Sequence, residues 1–284
     1  MDEQEKIYWH GAHFEALQLE LHEYLDALSF KKEHELSKEA LRMDTLIIKK
    51  IRDVEIAKNI GKIFKNHNIV EYKSETDNFT LWDYNKILGY AFIYSSFEKV
   101  QMSDITISIS LTIYPRELIK TLKSYGLAVR NSENGIYTIT GDIVPIQILE
   151  SKNLSEEENL FLRNLRSNLS GVDMQKTLET YKERKPLDDK NVFLDRLIKA
   201  NPDAFMEAMN MFTDGVRDIF LEGADRYGWL ANRDSNLEIE KAKKIAKKML
   251  MLGDSPEKVT EATELPFETV TSIVNQLKKI PVAH

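Results

Sequence analysis

"HNIVEYKSE", residues 67–75, is the stretch on which the reading of the chain turns. Ile69 and Val70 mark an apolar strand, yet Glu71 and Lys73 follow at once. Two residues apart on a strand, they share one face. A buried carboxylate needs a partner, a proton or a metal, because burying it alone costs several kcal/mol. A second carboxylate interrupts the apolar run "LRMDTLIIKK", where Asp44 precedes Thr45–Ile48. If the two strands are neighbours, Asp44 and Glu71 lie side by side. Their mutual repulsion is removed by a divalent cation, and hard oxygen ligands suit Mg²⁺, with Mn²⁺ as the alternative. A metal so held polarises a phosphodiester and lowers the pKa of a bound water. Lys73 could orient that water, help deprotonate it, or stabilise charge developing on the phosphate. The bland alternative is an edge strand with a cross-strand ion pair.

Outward from this strand, the first half alternates helix and strand patterns. Residues 8–28 have a broad apolar stripe at helical spacing. "HELSKEALRMDTLIIKKI" reads as two strands, the second over 41–51, and 53–66 reads as a short helix or an excursion. Helical spacing returns in "NFTLWDYNKILGYAFIYSS". "DITISISLTIY" alternates and is β-branched, so it predicts a strand. Pro115 opens a helix that Gly126 stops. "GIYTITG" and "VPIQILES" predict two further strands. Such alternation implies an α/β (α+β) mixed sheet with helices on its faces. From Ser151 the pattern is helical throughout, beginning with the capping pair Ser155 and Glu158. The expected regions are 1–150, 151–230 and 231–284.

Composition narrows the classes. The chain has 284 residues, 42% of them hydrophobic and 30% charged, with 11 glycines. That mix favours a helix-rich globular protein. A net charge of −7 gives no global basic field for coating nucleic acid. With no cysteine, disulfides and thiolate metal sites are excluded, and a reducing compartment is expected. No run approaches the roughly 18 apolar residues of a membrane span. A cytoplasmic protein is the expectation. No Gly-x-Ser-x-Gly elbow or phosphate-cradling Gly-rich loop occurs.

Helix, Asp-bearing hairpin, Glu-x-Lys strand and helix, in that order, resemble the core of the PD-(D/E)xK nuclease superfamily. The closer resemblance is to its bacterial transposase-like family, related to recombination-promoting nucleases. "LQLELHEYLDALSF", "LSKEALRMDTLIIKK", "HNIVEYKSE", "KILGYAFIY" and "AKKIAKKMLMLGDSPEKVTEATELPFETV" carry it, and together they span nearly the whole chain. The motif's proline is absent beside Asp44. The resemblance implies a restriction-endonuclease-like sheet and an Mg²⁺-dependent endonuclease acting on DNA. It implies metal at Asp44, Glu71 and Tyr72, with Lys73 as the catalytic lysine. A first-helix glutamate often assists in this superfamily, and Glu20 is the best match, ahead of Glu23 and Glu15. A catalytically silent nuclease fold, acting as a DNA-binding or protein-interaction module, is the rival expectation.

Three further features bear on partners. Lys49, Lys50 and Arg52 head a basic stretch, 49–65, that could hold a phosphate backbone or form a solvated face. Tyr90 and Tyr94 could line a cleft or belong to the core. The C-terminal helices resemble a helix-turn-helix, or a helical hairpin for packing or for a homodimer.

Overall fold

The computed structural model describes residues 9–31, 46–73, 78–184 and 192–278. The chain divides into two compact units, 1–217 and 218–284. The first unit is built on a seven-stranded mixed sheet, and the described residues after the strand Ile146–Glu150 are mostly helical.

Chain order in the sheet unit begins with α1 (Trp9–Glu20), β1 (Leu28–Lys31), β2 (Leu46–Lys50) and β3 (His67–Lys73). These three strands form an antiparallel meander. Helix α2 (Leu81–Glu98) then crosses over to β4 (Ile105–Leu111), which pairs with β3 in parallel. After α3 (Arg116–Ser124) come β5 (Ala128–Glu133), β6 (Ile136–Thr140) and β7 (Ile146–Glu150). The spatial order is β1-β2-β3-β4-β7-β6-β5, with β7 parallel to β4 and antiparallel to β6. A crossover helix is what a parallel pair requires, since a tight turn cannot return the chain to the same direction.

Side-chain alternation divides the sheet into two faces. Ile47, Ile69, Ile107, Ile109, Ile146 and Ile148 pack with Ile87, Ala91 and Tyr94 of α2 and Leu118, Ile119 and Leu122 of α3. On the opposite face Tyr72 stacks on His13 of α1, with ring centroids 4.5 Å apart. That face is unusually polar, and its groups are used. Asn68 Nδ2 donates to the carbonyls of Ile48 (3.1 Å) and Lys65 (2.8 Å). Its Oδ1 accepts from Lys65 N and Thr106 Oγ1, at 2.9 and 2.5 Å. Gln147 Nε2 donates to Ile60 O at 2.7 Å and Ser108 Oγ at 2.8 Å. These bonds, with buried Ile56 and Ile60, tie the long 51–66 excursion to the sheet. Its regular element is a single 3₁₀ turn, Asn59–Gly61.

Three local readings change. The helix expected over 8–28 ends at Glu20, and an unexpected strand follows at Leu28–Lys31, where Phe30 pairs across to Ile48. The earlier part of "HELSKEALRMDTLIIKKI", up to Thr45, lies outside the described residues. β5 gives no sequence signal because its side chains are almost all exposed. Ser155 Oγ accepts from Glu158 N at 3.4 Å, but the helix itself starts later, at α4 (Leu160–Asn164).

The helices that follow include α5 (Gly171–Glu183), α6 (Val192–Ala200) and α7 (Pro202–Met209). Through residue 217 they belong to the same unit as the sheet. In the second unit, α9 (Ala231–Met251), α10 (Pro256–Thr263) and α11 (Phe267–Lys278) follow α8 (Asp214–Tyr227), which begins in the first. Ala246, Val259, Leu265 and Val270 form the core of α9–α11. Gly253 (φ 95°) ends α9 in the left-handed region, and Ser255 Oγ caps α10 by accepting from Lys258 N.

Asn68 supplies four hydrogen bonds in a fully buried position. Asn68→Ala should therefore lower stability by about 2–3 kcal/mol, since several buried groups lose partners together. Urea denaturation measures this, and a loss below about 0.5 kcal/mol would contradict the role given to Asn68.

Candidate functional site

Glu71 and Lys73 lie on the α2–α3 face of β3, at the end where the three parallel strands β3, β4 and β7 finish. The register places Lys73 opposite Leu111 and Leu111 opposite Glu150. Glu71 occupies the row before, opposite Ile109. Ligands commonly sit at the carboxyl ends of parallel strands in such sheets. Glu71 is buried, at 7% exposure, whereas Lys73 is partly exposed.

Asp83, at the start of α2, closes one side. Thr80 and Asp83 form a reciprocal capping box, which satisfies amide donors that the helix cannot use internally. The Asp83 carboxylate also meets Lys73 Nζ at 3.2 Å. Burial pushes the Asp83 carboxyl up, but the Thr80 hydrogen bonds and the Lys73 ammonium outweigh it and hold it below the usual range. A threonine three residues before an aspartate, just ahead of an apolar helix, is the signal in the sequence that marks this position.

On the other side, Tyr137 OH donates to Glu150 Oε2 at 2.9 Å, and Tyr114 packs on Tyr137 with centroids 4.4 Å apart. Burial, then the Glu150 carboxylate, pushes the Tyr137 phenol up to about 12. The strand end thus carries Glu71, Lys73, Asp83, Glu150 and two tyrosines. Glu150 and the tyrosines could not be assigned to it from sequence, because Glu150 and Tyr137 arrive on β7 and β6 and Tyr114 on the loop that leaves β4.

Asp44 lies outside the described residues. Among the described residues no group of three or more His, Asp or Glu side chains is placed to hold a metal ion. Glu71 offers the hard carboxylate oxygen that Mg²⁺ prefers. The Tyr72 ring points to the opposite face, against His13, so its phenol does not join Glu71.

Glu20 is not brought to Glu71 and Lys73. Its helix packs on the Tyr72 face, and its carboxylate is fully enclosed. Glu20 Oε1 accepts from the amides of Phe161 (2.7 Å) and Leu162 (3.1 Å), while Oε2 meets Lys58 Nζ at 3.2 Å. Burial pushes this carboxyl up, opposed by Lys58 and the two amides. Glu15 does the same for α6, accepting from Phe193 N at 2.5 Å and Tyr181 OH at 3.0 Å. The two glutamates cap helices that arrive about 140 and 180 residues later, where unpaired amides and the helix dipole favour an anion. Close approach of α1 to α6 depends on Gly11, whose Cβ would stand 3.1 Å from Val192. Glu23 lies in the 3₁₀ turn His22–Tyr24, beyond the end of α1.

The basic stretch is largely engaged within the fold. Lys49 Nζ donates to Glu98 Oε2 at 2.6 Å, and Arg52 pairs with Asp26. Lys62 pairs with Glu133 at 2.8 Å, and Lys65 Nζ donates to Ser103 O at 2.7 Å. Among the described residues, Lys50 has no acidic partner. Tyr94 is core, with its hydroxyl 2.8 Å from His67 Nδ1, and Tyr90 packs partly buried against the same cluster. In the C-terminal unit Lys241, Lys244, Lys247 and Lys248 are exposed on α9.

Compared with protein-family models, curated proteins and solved structures, the chain matches none. No described helix is long and apolar enough to cross a membrane.

The buried Glu20–Lys58 pair predicts a large cost when broken. Glu20→Ala should lose about 3–5 kcal/mol, because it strands two helix amides and leaves Lys58 only the more distant Glu158 carboxylate at 3.9 Å. Chemical denaturation tests this, and a variant as stable as the wild type would exclude the capping role.

Proposed function

We propose that the protein is a metal-dependent endonuclease that hydrolyses DNA phosphodiester bonds. The carrying observation is the placement of Glu71 and Lys73 on one face, at the carboxyl end of β3 beside the parallel strand β4. The order α1-β1-β2-β3-α2-β4, with an antiparallel meander and a parallel fourth strand, supports a restriction-endonuclease-like core. In this reading Asp44 and Glu71 hold Mg²⁺ or Mn²⁺, which when bound supplies Lewis-acid polarisation of the scissile phosphate.

The chain's own groups do the rest. Glu71 presents its buried carboxylate from β3, where its backbone is registered against Ile109 of β4. Lys73 directs an ammonium to the same side, where negative charge grows on the phosphate in the transition state. Asp83 orients that ammonium through the 3.2 Å contact. Glu20 is assigned to holding α4. Lys50 and the exposed lysines of α9 are the candidate contacts to a phosphate backbone, acting through counterion release. The family resemblance supports a role in transposition or recombination, and the absence of cysteine supports a reducing, cytoplasmic setting.

The Lys73–Asp83 pair also favours a rival reading, in which Lys73 only secures the cap of α2 and the fold serves as a non-cutting module. Plasmid nicking in Mg²⁺ separates the two. Wild-type protein should nick supercoiled DNA, and both Asp44→Ala and Lys73→Ala should reduce the rate at least about 100-fold, the scale expected when a charge-stabilising group is removed. Nicking that persists in both variants would overturn the assignment, and wild-type protein that never nicks would favour the module.

A further inference from the structure

A second recess lies on the α2–α3 side of the sheet. It has a volume of about 300 Å³ and sits between α2, the end of α3 and the turn joining β6 to β7. Leu81, Tyr84, Asn85 and Leu88 face it from α2 at helical spacing, while Leu122 and Leu127 form an apolar wall. Tyr125 and Ile143 stand at its rim, exposed to 66% and 52%. The volume lies at the lower end of the range for small-molecule sites.

One charge faces this apolar space. Asp142 Oδ2 accepts from Tyr84 OH at 2.5 Å, and Oδ1 accepts from Ile143 N at 2.7 Å. A carboxylate offers about four acceptor positions, so these two bonds fix its orientation and leave capacity unused. Among the described residues no Lys or Arg pairs with Asp142. Tyr84 is 2% exposed, and the phenol is locked as a donor to Asp142. Burial and the neighbouring carboxylate both push its pKa up. The recess therefore combines a held anion, an aliphatic wall and no internal counter-cation.

We infer that this recess binds a small organic cation, a primary ammonium carried on a compact apolar or one-ring body. The ammonium donates to the unused lone pairs of Asp142, and the body covers Leu81, Leu88, Leu122 and Leu127. A neutral ligand of the same shape would gain the apolar contact alone. Asn85, exposed at the margin, offers a further acceptor to the ammonium. The site is independent of the nuclease reading.

The test compares phenethylamine, charged at pH 7, with 2-phenylethanol, its neutral counterpart, by ligand-observed NMR titration of the full chain. A charge-assisted hydrogen bond predicts that the amine binds the wild type at least about tenfold more tightly. In Asp142→Asn the preference should fall to within about twofold, and Leu88→Trp, which fills the recess, should remove binding of both. Equal affinity for the two probes in the wild type would overturn the proposal. So would no binding of the amine at millimolar concentration, or a preference unchanged in Asp142→Asn. Because the wild-type comparison alone can refute it, the proposal stays testable if a variant fails to fold.

Discussion

A polar group placed inside a sheet must find a partner there, and in this protein that requirement falls on β3. The strand pairs with β4 along its whole length and with β2 from His67 to Val70, and Asn68 and Glu71 are buried in it, with His67 and Lys73 half-buried at its ends. Each face answers differently. On the α1 side Asn68 fastens the 51–66 excursion by four hydrogen bonds. On the α2 side His67 meets Tyr94, and Lys73 meets Asp83. From His67 to Val70 β2 and β4 occupy both edges, while the described pairing of Glu71 and Lys73 is with Ile109 and Leu111 of β4.

The same economy appears in α1. Its glutamates look like solvated or catalytic carboxylates when only helix periodicity is considered. In the fold they accept from the first amides of α4 and α6, binding the helical segment after residue 151 to the first helix. Asn159, before α4, makes no side-chain cap of its own where Glu20 supplies one. Long-range capping couples the sheet to the helices through groups whose removal would strand charge rather than merely lose a contact.

The sheet was legible where burial imposes a pattern. β3, β4, β6 and β7 carry β-branched or continuous apolar runs, and α2 and α3 have clear spacing and start signals. β5 was not legible because its exposed side chains are free of any burial pattern. β1 was not, because its identity comes from pairing with Ile47–Lys50 and not from its own four residues. At the candidate site, Glu71 and Lys73 could be placed on one face from their spacing alone. Asp83 was readable only as a helix cap, and Glu150 with Tyr137 only through the strand order. The charges of 49–65 read as a patch, yet their partners Asp26, Glu98 and Glu133 are distant in sequence and close in space.

If the end of β3 is a metal site, its carboxylates should give the DNA-free chain measurable affinity for a divalent ion, which substrate phosphate would then increase. Titration of Mn²⁺ into the DNA-free chain, followed by the electron paramagnetic resonance of the free ion, measures this directly. The account predicts one ion bound per chain and loss of that binding in Glu71→Gln, which keeps the size of the side chain and removes its charge. Wild-type protein that binds no Mn²⁺, or a Glu71→Gln variant that binds it as well as the wild type, would contradict it.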